Sequence, residues 1–370
     1  MNIGSDMGNI TSVAVGEVEV IEESRLKETE DQDILKDSVF DFDGEKFTLN
    51  EGDFENNPYK HEKLNFDKLL YLTLYKASPD SINNVCFSIP AKQFRNKEIV
   101  NNFYEVINKN RIHTVNGRTI IINKVNIIPE GYGIKALGIL EENENLLENA
   151  PVLVIDIGGE TTDLILFDKN HVFSDGRNVR YGLLKLYEKA GQYLEDKYGL
   201  ELTIAEAKDY FNGDTVLLDD PDNKDNYRND LILKAFKEIL NKILRYFPNM
   251  KQYNLIICGG GAELMYPLFK KFFPQSILVD DIAVNARGNK EIADVHWAGE
   301  DEEIELIPTT QDLITSIWEN RNKDNEKLMM GLWQNDQGKE ILSDLLGIES
   351  EKEIRNNYNV KDYLRECLGE

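Results

Sequence analysis

Apolar residues along the chain recur at two periods, and the switches between them mark out the elements. Residues 151–156, Pro-Val-Leu-Val-Ile-Asp, are an apolar run ending in aspartate, and Leu164-Ile165-Leu166-Phe167 follows after a short turn. The pair predicts a strand, a tight turn and a returning strand. The start of the chain has the same outline: a strand into Asp6-Met7-Gly8-Asn9, then a second strand over 10–20, with Gly16 as a turn or bulge. A stripe of Leu69, Leu70, Leu72, Thr73 and Leu74 predicts a helix over 65–77, stopped by Pro79. A strand over 84–90, a helix over 96–108, strands over 118–122 and through Ile127-Ile128, and a helix from Pro129-Glu130-Gly131 through Ala136 and Leu140 complete the first half.

In the second half Leu183, Leu186, Tyr187, Ala190 and Leu194 share one face of a helix over 183–198. Further helices are expected from Thr203 and over 229–246. A strand over 254–258 enters Gly259-Gly260-Gly261, and a helix leaves at Ala262. Strand, turn, strand and then alternating elements thus occur twice, which predicts an α/β fold of two similar lobes. The boundaries expected are 1–150, with a small peripheral insertion at about 22–62, and 151–297. After Trp297 come the acidic run Glu300-Asp301-Glu302-Glu303 and short amphipathic helices near 310–321, 325–333 and 339–346, with Gly347 as a C-cap.

A chain of 370 residues, 41% hydrophobic and 29% charged, has the size and balance of a bilobed globular protein. Its 67 acidic and 42 basic residues leave a net charge of −25, a surface that repels nucleic-acid phosphates and anionic membranes. Direct DNA binding is therefore not expected; action on DNA would need a basic intermediary. Cys86, Cys258 and Cys367 have no metal-like spacing and read as reduced thiols, while His61, His113, His171 and His296 are scattered. With no signal-like start and no apolar run of membrane length, the expected location is cytoplasmic.

The strongest chemical signal is the octet Asp156-Ile157-Gly158-Gly159-Glu160-Thr161-Thr162-Asp163 between two apolar strands. Adjacent glycines let backbone N–H groups approach a phosphate, Thr161 and Thr162 can donate hydroxyls, and Asp156 suits the water shell of Mg²⁺. A tight hairpin with a capping aspartate is the plainer alternative. Asp6, Gly8 and Asn9 form a similar turn in the first half, so that two turns could clamp a polyphosphate. Gly259, Gly260, Gly261 and Ala262 lie at a strand-to-helix junction of the kind that receives negative charge. Glu130 follows Pro129, where a glutamate either acts in chemistry or merely favours the first turn of a helix.

This ordered set (Asp6 and Gly8, Pro129-Glu130-Gly131, the octet, and Gly259–Ala262) resembles the actin, heat-shock chaperone and sugar-kinase ATPase superfamily, and within it the ParM-type bacterial actins that segregate plasmids. Ser88-Ile89-Pro90 and Gly182-Leu183-Leu184 add to the likeness, which spans about 1–297. The resemblance implies an actin-like (ribonuclease H-like duplicated) fold closing on ATP or GTP with Mg²⁺. Asp6–Asn9 and 156–163 would be the phosphate loops and Gly259–Ala262 the adenosine turn. Glu130 would align the attacking water, and Asp6 and Asp156 would hold Mg²⁺ through water. Residues 283–293 would form a second connecting helix. Glu206, with Lys208, is a candidate for contact with base and ribose, an exposed ion pair being the alternative. Relatives carry a lysine soon after the first loop, where this chain has Thr11 and Ser12. How the β-phosphate charge is met is thereby open, backbone N–H groups and Mg²⁺ being the candidates.

The function so implied is a filament-forming nucleotidase that moves plasmids through a basic, centromere-binding, ParR-like adaptor, with no direct contact to nucleic acid or membrane. The alternatives are a small-molecule kinase of the same superfamily, a chaperone-like ATPase and a cell-shape or cell-division actin. No sugar-type acceptor motif is present, the tail is too short for a peptide-binding domain, and residues 360–368, where Lys361 and Arg365 are balanced by Asp362 and Glu366, are not basic.

Overall fold

A computed structural model describes residues 1–29, 38–143, 150–214 and 221–299, with scattered positions between 329 and 357. In the first half, strands β1 (Asn2–Met7), β2 (Thr11–Val15), β3 (Glu19–Glu23), β4 (Leu26–Glu28), β5 (Val39–Phe42) and β6 (Glu45–Leu49) precede a short 3₁₀ turn at Lys60–Glu62. Helix α1 (Phe66–Ala77), β7 (Ile82–Ile89), α2 (Ala91–Phe94), α3 (Lys97–Lys109), β8 (Ile112–Val115), β9 (Arg118–Pro129), α4 (Gly133–Ala136) and α5 (Ile139–Glu142) follow. The second half contains β10 (Val152–Ile157), β11 (Thr162–Phe167), β12 (Phe173–Val179), α6 (Leu183–Tyr198), α7 (Ile204–Asn212) and α8 (Pro221–Tyr246). After these come β13 (Asn254–Cys258), α9 (Ala262–Phe272), β14 (Ser276–Leu278), α10 (Val284–His296) and, in the tail, α11 (Glu351–Asn357).

The described strands form two sheets, ordered β3-β2-β1-β7-β9-β8-β5-β6-β4 and β12-β11-β10-β13-β14. The duplication expected from the pattern is visible in the pairing. Each sheet has an antiparallel meander of three strands, β1-β2-β3 or β10-β11-β12, whose first strand then pairs parallel with β7 or β13. A further parallel strand, β9 or β14, completes each five-strand unit. Period-2 alternation explains the layers. Leu153, Ile155 and Ile157 of β10 face one core with Phe236 and Phe269. Val152 and Val154 face another with Ile134, Leu140 and Val284.

Several elements differ from expectation. The acidic stretch 22–62, expected as a small peripheral insertion, carries more strand than its weak signals suggested: among its described residues β4, β5 and β6 extend the outer end of the first sheet. Phe40, Phe42, Phe47 and Leu49 alternate with charged neighbours and enter the main core of that lobe. Residues 10–20 divide into β2 and the start of β3. The strands expected at 118–122 and 127–128 are one continuous β9. The helix expected from Pro129 to Leu140 is instead a turn and two short helices, because Gly131 and Gly138 adopt φ of +77° and +71°. The acidic connector, most of the three tail helices, Gly347 and Cys367 lie outside the described residues; Met329, Leu342, Ile348 and Ile354 are buried. Among the described residues no helix is long and apolar enough to cross a membrane.

Helix α10 ties the halves together. It lies on β1, where Asn289 Nδ2 donates to Ser5 O at 2.8 Å, and against α4. Backbones touch there: a Cβ on Gly288 would stand 2.1 Å from Gly133 Cα, and one on Gly4 2.0 Å from Ala286 O. Gly288→Ala is therefore expected to destabilise the fold by roughly 3 kcal/mol in denaturant titration. Val295→Ala, at a position on the same helix that is 78% exposed, is expected to change stability by less than about 0.5 kcal/mol.

Candidate functional site

The acidic ends of the two halves meet beneath α10. Asp6 lies near the end of β1, Asp156 near the end of β10, and Asp163 is the direct antiparallel partner of Asp156 on β11. Glu130 follows β9, its N–H donating to Ile89 O at 2.8 Å. It is not in the first turn of a helix as expected, so a simple helix-dipole role is removed. Asn285, near the start of α10, joins both halves. Its Nδ2 donates to Asp156 Oδ2 at 2.7 Å and reaches Asp6 Oδ2 at 3.4 Å, while its Oδ1 accepts from Gly131 N at 2.9 Å.

Two lysines enter this acidic cluster from the turn before α1. Lys60 Nζ lies 2.5 Å from Asp6 Oδ1, pairs with Glu130 Oε1 and donates to Ser88 O at 3.0 Å. Lys63 Nζ donates to Met7 O at 3.1 Å and Gly8 O at 2.8 Å. In a 3₁₀ turn, residues three apart share a face, so the spacing Lys60-His61-Glu62-Lys63 directs both ammonium groups inward. The turn is itself anchored: Asn9 Nδ2 donates to Asn57 O at 3.2 Å and Gln93 Nε2 to Pro58 O at 2.6 Å. Positive charge at the first loop is thus supplied from a distant segment, a source that the sequence reading did not include.

Burial and mutual repulsion set the protonation. Burial would lower the Lys60 ammonium, but the carboxylates of Asp6 and Glu130 overturn this and hold it above its ordinary value. Burial raises Glu130, and Lys60 pulls it back towards ionisation. Burial and the Glu130 charge push Asp163 well above the carboxylate range, so Asp163 keeps the proton shared with Glu130. Asp163 also accepts from Ala91 N at 3.1 Å and Thr161 Oγ1 at 2.7 Å. Asp156 is pushed up to about 7 by burial and by Glu130.

The two turns touch: a Cβ at Gly159 would stand 3.2 Å from Ile10 N and 3.3 Å from Asn9 Cβ. Gly158 N closes its own turn onto Thr161 O at 2.9 Å, and the carbonyls of Gly158 and Gly159 accept from Leu183 N and Leu184 N at the start of α6. Thr161 and Thr162, expected to donate to phosphate, give their hydroxyls to Asp163 and to Tyr181 O. The glycine turn stands beside this pair. Gly259, at φ +85°, lies so close that a Cβ would be 2.1 Å from Asp156 Oδ1; Gly260 is exposed, and Ala262 opens α9. Glu206 is not brought to the cluster. Its carboxylate closes a capping box with Thr203 at the start of α7, and Lys208 pairs with Glu23 of the first half.

Lys60, Lys63 and Asn285 were missed as site residues. The only hint was a pair of lysines at helical spacing just before an apolar stripe, a pattern indistinguishable from a solvated face. Among the described residues no group of three or more His, Cys, Asp and Glu is placed to grip a metal directly. Asp6 and Asp156, one from each sheet and linked through Asn285, instead fit Mg²⁺ held through water and phosphate oxygens.

Because its folded pKa lies above that of an ordinary aspartate, Asp156 makes the folded chain bind the extra proton between about pH 4 and 7, and stability falls as pH rises through that window. Asp156→Asn is accordingly expected to raise nucleotide-free stability at pH 8 by on the order of 2 kcal/mol, with little effect at pH 4, in denaturant titrations at the two pH values.

No family model matches the chain, and no curated protein matches it. Solved structures do. An archaeal actin homologue, Ta0583, superposes with a TM-score of 0.65 at 18% identity over 80% of this chain and 99% of that one, and it has also been crystallised with ADP. A non-polymerisable mutant of the pCBH ParM gives 0.67 at 18% identity, with the same coverage. A ParM from a 15-stranded filament of Clostridium botulinum gives 0.66 at 16% identity, again over 80% and 99%. The fold of this chain is actin-like.

Proposed function

We propose that this chain is a nucleotide-dependent, filament-forming actin-like ATPase or GTPase that segregates plasmid DNA through a DNA-bound basic adaptor. The observation that carries the reading is the convergence of Asp6, Glu130, Asp156 and Asp163 from both halves on one enclosed point, with two lysines delivered to it. Structural frameworks rarely gather buried like charges, whereas a site for a metal-bound polyphosphate uses them. Similar folds in a protein crystallised with ADP and in a ParM filament support both parts.

In this reading Glu130 is the group that orients the attacking water. Lys60 favours its ionised form against the effect of burial, and Asp163, holding the shared proton, fixes its direction by a hydrogen bond. Asp6 and Asp156 would hold the water shell of Mg²⁺, which when bound would neutralise charge developing on the phosphates. Asn285 touches carboxylates of both halves and so makes their spacing depend on α10. A closed cleft would then favour head-to-tail contacts between copies, and hydrolysis would weaken them. The net charge of −25 disfavours direct contact with DNA and suits a basic adaptor.

Light scattering is expected to rise on adding Mg-ATP or Mg-GTP and to decay as phosphate is released; a flat signal with both nucleotides across protein concentrations rules out the filament. Glu130→Ala is expected to keep nucleotide binding and assembly but to slow phosphate release by about a hundredfold, giving longer-lived polymers. Unchanged turnover in that variant removes Glu130 from the mechanism.

A further inference from the structure

The turn after β1 presents carbonyl groups to the buried lysine behind it. Met7 O and Gly8 O both accept from Lys63 Nζ, and Gly8 O accepts a second hydrogen bond from Ser24 Oγ at 2.7 Å. In a trans peptide the N–H points opposite to the C=O, and the described chain contains no cis bond. The N–H groups of Gly8 and Asn9, which belong to those same two peptides, are therefore directed away from Lys63. The lysine is only 8% exposed and both of these acceptors are neutral. Lys60, one turn earlier on the same face, is already committed to Asp6 and Glu130.

We propose that Lys63 converts the Met7-Gly8-Asn9 turn into a cradle for a polyphosphate: it grips two carbonyls from behind, aims their partner N–H groups outward and places positive charge at their back. The proposal rests on the nucleotide reading above and assigns to a residue outside the turn the charge that Thr11 and Ser12 do not carry. Lys63 is a positioning residue, acting on the anion through the backbone. Burial and the Lys60 ammonium push Lys63 down to about 7, and Glu55, Asp6 and Glu130 offset this only in part. The cation thus lacks a full counter-charge in the protein, and an anion seated on the far side of the turn would supply it.

Two variants separate charge from mere bracing. Lys63→Gln keeps an N–H donor for the carbonyls without the charge, and Lys63→Arg keeps both. Calorimetric titration of the full chain with ATP, adenosine and inorganic tripolyphosphate, each with Mg²⁺, is the test. In Lys63→Gln the preference for ATP over adenosine is expected to fall about tenfold and tripolyphosphate binding to weaken equally, whereas Lys63→Arg stays within about threefold of the unaltered chain. An undiminished ATP preference in Lys63→Gln overturns the proposal and leaves the nucleotide reading standing. An unaltered chain that binds neither ATP nor tripolyphosphate overturns both.

Discussion

One ammonium group, that of Lys60, stands between carboxylates that could not otherwise share an enclosed space. Removing one partner from a buried charge network leaves the others unopposed at a cost of several kcal/mol. Here the others are Asp6 on the first sheet and Glu130 at the entrance to α4. Their placement is imposed by strand pairing, which fixes β1, β9 and β10 irrespective of charge. The counter-charge at Asp6 and Glu130 does not come from those strands. It comes from a turn held by Asn9 and Gln93, so the backbone between β6 and α1 is as much a part of the site as the strands themselves.

The two halves use one strand order for different electrostatic ends. In the second half Asp156 faces Asp163 across the hairpin; in the first, the partner of Asp6 is Val13. The second half therefore holds a close acid pair that lowers its repulsion by keeping a proton on Asp163. The first half holds a single acid on its hairpin, with Glu130 after β9, and brings in lysines instead. Asn285, donating to Asp156 and reaching Asp6, is where the two solutions meet, and it is carried by α10, the helix that bridges the lobes.

How far this was legible follows from the range of the forces involved. Strands β10, β11 and β13 and helix α6 could be placed to within a residue or two, because their apolar periodicity is a local property and their burial is strong. The acidic octet and the glycine turn could be found because glycine and aspartate at strand ends are local signals as well. The strands of residues 22–62 were hidden, since Asp41, Glu45 and Lys46 dilute the alternation of Phe40, Phe42 and Phe47. Lys60 and Lys63 were hidden for a stronger reason. Their partners Asp6, Met7 and Gly8 are more than fifty positions away in the chain, and only the tertiary fold turns a common surface pattern into buried cations. Glu206 shows the converse: a residue suggested by likeness is committed to capping its own helix.

The seam of Gly4, Gly133 and Gly288 has a mechanical meaning. Where side chains separate two elements, rotamer changes can absorb a small displacement; here peptide meets peptide, and there is nothing to compress. A slide of α10 across β1 or α4 would therefore have to deform backbone rather than turn a side chain, which makes this crossing the stiffest line of contact between the two halves.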